Sequence, residues 1–193
     1  MKKLLFLFLI FVGVLGAEQI SSALRGSTLP STYKEFKANC QKIATSPEGA
    51  MLMLFDAVYV YMDEGTRDEG SKMLRYILHM EKDWQNLPSK ATMNERLKGA
   101  EYSHIFRSYA VGATPENGYK MDKNNYAINI AKKRSDGGDI MLSVVSNGAD
   151  SPRMFRVKKD EDSGSYYVAS AAGLYAGVRK PKTKDTSYDA DFD

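Results

Sequence analysis

The chain has 193 residues, 43% of them hydrophobic and 26% charged, with a formal charge of +3 and a single cysteine. One cysteine rules out an internal disulfide, so stability has to come from a buried core, for which this length suffices. Lys2 and Lys3 supply most of the excess charge: without them 25 basic residues stand against 24 acidic ones, which is not the basic footprint of a nucleic-acid binder.

The first segment has the three parts of a Sec-type signal peptide: basic Lys2 and Lys3, an apolar run from Leu4 to Leu15, and small residues for cleavage after Gly16 or Ala17. That run is shorter than the ~20 residues that span a bilayer, so a permanent anchor is not expected. Cys40 lies too far along to be lipidated at the cleavage point. Residues 1–17 are therefore expected to direct export to the periplasm or the medium. Residues 18–31, with Ser21, Ser22, Gly26, Ser27 and Pro30, read as a linker, and residues 32–181 as one domain.

Thr32 and Glu35 have capping-box spacing, and Tyr33, Phe36, Cys40 and Ile43 follow on one helical face, which makes Cys40 a core residue. Ser46 can cap a second helix with Pro47 at its first position. From Pro47 to about Asp63 this helix is apolar nearly all round, as a central, buried helix is. Its polar stripe is Asp56, Tyr59 and Asp63. After a turn over Gly65 to Gly70, Met73, Leu74, Ile77 and Leu78 mark an amphipathic helix; Trp84 and Leu87 pack before Pro88, and Thr92 with Glu95 opens a short helix ending near Gly99.

The period then falls to two. Tyr102–Val111, Asn124–Lys132, Ile140–Ser146, Met154–Lys159 and Tyr166–Ser170 read as strands, and residues 182–193 as a disordered polar tail. Helices followed by strands predict an α+β fold, with N-terminal helices packed on a curved antiparallel sheet. The same order suits cone-like folds of the nuclear transport factor 2 type, an analogy of element order that carries no chemistry.

Two loop segments are unusually composed: Arg107-Ser108-Tyr109 followed by Gly112-Ala113-Thr114-Pro115-Glu116-Asn117-Gly118-Tyr119, and Ser146-Asn147-Gly148-Ala149-Asp150-Ser151-Pro152-Arg153. With Ser46-Pro47-Glu48-Gly49-Ala50, Gly177-Val178-Arg179 and Pro181, they resemble an uncharacterised family of bacterial proteins carrying a domain of unknown function, over roughly Ser46 to Pro181. The chain differs from that pattern in having Met154 after Arg153 and Tyr166-Tyr167 in the last hairpin. The resemblance implies a shared fold and no role for any residue.

The plain reading of both loops is structural, with Asp150 capping its turn and Arg153 pairing with a carboxylate. The sharper reading is that Arg107, Glu116, Asn117, Asp150, Arg153 and Arg179 converge on a polar binding site at one sheet end. Asp56 is either paired with an arginine of the sheet or a general acid or base in a cavity, with Tyr59 beside it. Other chemistries have less support. His79 and His104 are the only histidines, which argues against a triad or a histidine metal centre, and Gly-x-Ser-x-Gly is absent. Asp160-Glu161-Asp162-Ser163-Gly164 lacks the glycine and closing glutamate of a calcium loop and suits a hairpin tip. No cofactor and no metal are expected. The leading expectation is an exported, non-catalytic binding or interaction module with an unidentified ligand or envelope partner; the alternatives are a small extracytoplasmic hydrolase or isomerase using Asp56, and a purely structural envelope component.

Overall fold

A computed structural model describes residues 18–26 and 28–182; residues 1–17, expected to be a signal peptide, and the expected polar tail beyond Lys182 lie outside the described residues. Among those residues the fold is α+β: five α-helices and one five-stranded antiparallel sheet in the order β1-β2-β3-β4-β5, open at β1 and β5. The helices are α1 (Tyr33–Ile43), α2 (Pro47–Met62), α3 (Arg67–Ile77), α4 (Ala91–Lys98) and α5 (Ser103–Arg107). The strands are β1 (Glu18–Ser21), β2 (Ala127–Asp136), β3 (Asp139–Val144), β4 (Arg153–Lys159) and β5 (Tyr166–Ser170).

The first two helices start where side chains can satisfy free backbone N–H groups. Thr32 accepts from the Glu35 N–H, and Ser46 from the Gly49 N–H with Pro47 in the first turn. Every residue of α2 except Met62 is buried. Two glycines allow neighbouring chain segments to come that close: a Cβ on Gly49 would collide with the Ile43 carbonyl oxygen, and one on Gly70 of α3 with the backbone of Tyr61. Below α2 lies an aromatic cluster, with the Phe55 ring 4.9 Å from Tyr109 and 6.4 Å from Phe155 of β4. Glu48 at the start of α2 reaches Lys133 of β2 at 2.6 Å, a further tie between helix and sheet.

β2 and β3 are joined by Gly137-Gly138, both at positive φ, as a two-residue turn between paired Asp136 and Asp139 requires. Irregularities at Ile130/Lys132 and Arg156/Val157 interrupt the ladders. Asp160 to Ser165 close the β4–β5 hairpin, with Asp160 accepting from the Ser163 N–H.

Four expectations need correction. Residues 18–31 are no simple linker, because Glu18–Ser21 form edge strand β1 against β2, a 3-10 turn follows at Ser22–Arg25, and Ile20 and Ser22 are buried. Tyr102–Val111 is no strand: it holds a 3-10 turn and α5, and only Ala110 makes an isolated bridge, to Ile128. α4 begins after Lys90 without a side-chain cap, so Thr92 with Glu95 does not start it. Lys182, expected to open a disordered tail, donates its N–H to Pro115 O and its ammonium to Glu116.

Candidate functional site

Asp56 sits in the middle of α2, and its partner comes from the segment read as a linker. Arg25 Nε lies 2.9 Å from Asp56 Oδ1 and 2.8 Å from Oδ2, and both side chains have no exposed surface. Tyr126, just before β2, donates its hydroxyl to the same Oδ1 at 2.7 Å. Oδ2 receives no aligned donor among the described residues. The expected arginine partner is thus present, but it is Arg25 and not an arginine of the sheet. Burial pushes the Asp56 carboxyl up to about 6, against the pull of Arg25 and Tyr126. Burial likewise pushes the Tyr59 and Tyr126 hydroxyls above the usual phenol range.

Arg25 also ties the carboxylate to a loop. Its Nη2 donates to Lys123 O at 3.0 Å and to Asn124 O at 3.3 Å, while the Leu29 N–H donates to Asn124 Oδ1. The segment Lys120–Asn124 is therefore held from within by the buried pair, and its outer side forms one wall of a cleft.

That cleft has a volume of about 730 Å³ and lies between the C-terminal end of α2, the α4–α5 corner and residues 120–124. The Tyr59 ring and Met62, Leu97 and Met121 give it an apolar floor, whereas Asp56 does not line it. Five basic residues face it, Arg67, Lys98, Arg107, Lys120 and Lys123, against three acidic ones, Asp63, Glu64 and Asp122. Lys123 pairs with Asp63 at 3.0 Å, and this ammonium is the main reason that the Asp63 carboxyl is held below its usual range. Arg67 Nε donates to Tyr61 O, and its guanidinium stands 6.0 Å from the Tyr61 ring centre. Lys98, Arg107 and Lys120 have no carboxylate within ion-pair distance among the described residues.

Arg107 is rigidly mounted. Its neighbours Phe106 and Ser108 are wholly buried. The Tyr59 hydroxyl donates to Phe106 O at 3.2 Å, and the Ser108 hydroxyl lies 2.6 Å from Ile105 O and 2.7 Å from Ser146 Oγ. Its own side chain is exposed. Together with Ala100 and Ser103 it also lines a second cleft, of about 540 Å³, that reaches His104 and Lys180.

The remaining loop residues are spread over separate contacts. Asp150 is 93% exposed and pairs with Arg179 at 2.9 Å. Glu116 pairs with Lys182 at 3.0 Å. Asn117 closes its own loop, accepting from the Thr114 and Lys120 N–H groups and donating to Gly112 O. Arg153 finds no carboxylate within ion-pair distance among the described residues and donates instead to Gly177 O at 2.9 Å. The two loops are stitched to the C-terminal segment: Tyr119 donates its hydroxyl to Arg179 O, the Arg179 N–H donates to Gly148 O, and a Cβ on Gly148 would strike the Tyr119 hydroxyl. Of the six loop candidates, only Arg107 lines the larger cleft, and its companions Lys98 and Lys120 were not singled out from sequence.

Among the described residues no three His, Cys, Asp or Glu side chains are grouped to hold a metal ion, and no helix is long and apolar enough to cross a membrane. Cys40 is buried, and that burial pushes its thiol far above the ordinary range. No curated protein matches the chain, and no solved structure matches it. A family model described as a domain of unknown function, DUF6935, matches residues 28–182, and the chain belongs to that family.

Proposed function

We propose that the protein is an exported bacterial binding or interaction module without catalytic activity, whose ligand meets the 730 Å³ cleft and not the two long loops. The observation that carries this reading is the separation of the reactive carboxylate from the open space. Asp56 is closed off by Arg25 and Tyr126, while the cleft beside it is lined by unpaired cations and apolar side chains. The raised Asp56 carboxyl would suit a general acid, but an acid must reach its substrate, and this one faces only protein.

Export rests on the pattern of Met1 to Ala17. Cleavage after Gly16 or Ala17 would leave Glu18, the first residue of β1, at or beside the new N-terminus, so that processing spares the sheet. The test is fractionation of cells producing the full chain, with N-terminal sequencing of the product and affinity capture from the extracytoplasmic fraction. A chain beginning at Ala17 or Glu18 that retains a ligand or partner, and loses it when Arg107 and Lys120 are replaced by alanine, supports the reading. An uncleaved cytoplasmic chain overturns export. Retention unchanged by the two replacements overturns the cleft as the binding site.

A further inference from the structure

The 730 Å³ cleft holds a group of cations left without a carboxylate partner among the described residues. The buried ionic groups are committed: Arg25 to Asp56, and Glu48 to Lys133. The loop charges pair with one another, Asp150 with Arg179 and Glu116 with Lys182. The sheet's Asp139 draws in Arg156 and Lys158. In the cleft the Asp63–Lys123 pair cancels, and four basic groups then face Glu64 and Asp122. Of those four, Arg67 is occupied by the carbonyl and ring of Tyr61. Lys98, Arg107 and Lys120 are left without a partner among the described residues, and they come from three different segments: the end of α4, the end of α5 and the loop after Tyr119.

Building on the binding reading above, we infer that the cleft takes an anionic ligand bearing carboxylate or phosphate groups, with Arg107 as its principal anchor and Lys98 and Lys120 beside it. A guanidinium presents paired N–H donors that match two oxygens of either group, and it keeps its charge at any physiological pH. Its backbone is immobilised by Phe106 and Ser108, so little main-chain ordering accompanies binding. The apolar floor of Tyr59, Met62, Leu97 and Met121 gives the non-ionic part of such a ligand a surface to lie on. Because Arg107 lines both clefts, a ligand anchored there can extend past Ser103 toward His104 and Lys180, which favours an elongated, multiply charged molecule over a single small ion.

The test is titration of the isotope-labelled protein, followed by amide NMR, with four probes: pyrophosphate, citrate, spermidine and cellobiose. Saturable shifts at Ser103, Arg107, Met121 and Asn124 with either anion support the inference. They should weaken with added salt, and by tenfold or more in Arg107→Ala. Pyrophosphate alone would assign a phosphate ligand and citrate alone a carboxylate. Arg107 makes no side-chain hydrogen bond among the described residues, so the variant should remain folded, and Lys120→Ala gives an independent second reading with a smaller loss. Anion shifts that scatter over surface lysines without saturating, or that survive Arg107→Ala, overturn the inference. Spermidine or cellobiose binding in the cleft where the anions do not would also overturn it, while leaving the cleft as a binding site. If no probe binds the cleft, the anion assignment fails, and the binding reading is then decided by the affinity capture described above.

Discussion

Arg25 and Arg107 carry the same guanidinium in opposite surroundings. The Arg25 side chain has no exposed surface, with Asp56, Gly26, Lys123 and Asn124 accepting from its nitrogens. Arg107 stands on a backbone that is just as firmly fixed, yet its side chain lines an open cleft with no acceptor among the described residues. A charge taken out of water must be matched within the molecule, whereas a charge left at a cleft wall remains free for something outside it. The two regions share the segment Lys120–Asn124, whose inner side is held by Arg25 and whose outer side lines the cleft. Breaking the first should cost stability, and breaking the second should cost binding.

The largest effect should come from halving the buried pair. Asp56→Ala leaves Arg25 desolvated and unmatched, for which about 3–5 kcal/mol of stability is expected to be lost. Thermal or urea unfolding measures this, and the double replacement Arg25→Met with Asp56→Leu should recover most of it. A loss under ~1 kcal/mol for Asp56→Ala would mean that water reaches the pair and that the contrast with Arg107 is false.

A smaller effect of the same pair appears with pH. Burial is the chief reason that the folded Asp56 carboxyl is raised to about 6, well above the ordinary aspartate range, so the folded chain binds this proton more tightly than the unfolded chain does. Its contribution to stability is therefore most favourable below the unfolded value, declines as pH rises between the two, and is level above about 6. The difference in unfolding free energy between the natural chain and Asp56→Asn should fall across that window. A difference that rises through it would show that Arg25 outweighs desolvation.

Much of the helical half was legible because its signals are local. Ser46 and Pro47 lie next to the helix they start, and the apolar run of α2 announces its own burial. The misreadings occur where a partner is distant in sequence. Glu-Gln-Ile-Ser has little strand character alone, and it becomes β1 because Ile20 finds Ile128 across the ladder. Tyr102, Phe106 and Ala110 fall at even spacing and suggest a strand, but Ile105 and Tyr109 are buried as well, and adjacent buried pairs four apart are the mark of a helical turn against the core. The same limit governs the site. Asp56 stood out as a carboxylate in an apolar helix, yet nothing near Arg25 marks it as the partner. Arg107 was named from its loop, but Lys98 and Lys120 join it only through folding, since no local pattern links the end of α4 to the residue after Tyr119.

The loop pair Asp150–Arg179 tests whether pairing alone, without burial, carries stability. Their side chains are 93% and 60% exposed, so water and salt compete with the 2.9 Å contact. Asp150→Ala should cost no more than about 1 kcal/mol, and less in high salt. Replacing Gly148, whose Cβ would strike the Tyr119 hydroxyl, should cost more, because there the backbone approach and not the charge holds the loops together. Equal losses would move the loop charges toward the Arg25 side of the comparison.

Arg107→Ala should have the smallest effect on the fold. Its side chain makes no hydrogen bond or ion pair among the described residues, so truncation should leave the unfolding free energy within about 0.5 kcal/mol of the natural chain. The variant should even gain slightly if Lys98 and Lys120 repel the guanidinium across the cleft, and that gain should vanish as salt screens them. A stability loss of several kcal/mol, measured by urea unfolding, would place Arg107 with Arg25 as a structural group. A neutral result leaves a fixed, solvent-facing guanidinium with no role in the fold, and the role open to it is in what the cleft binds.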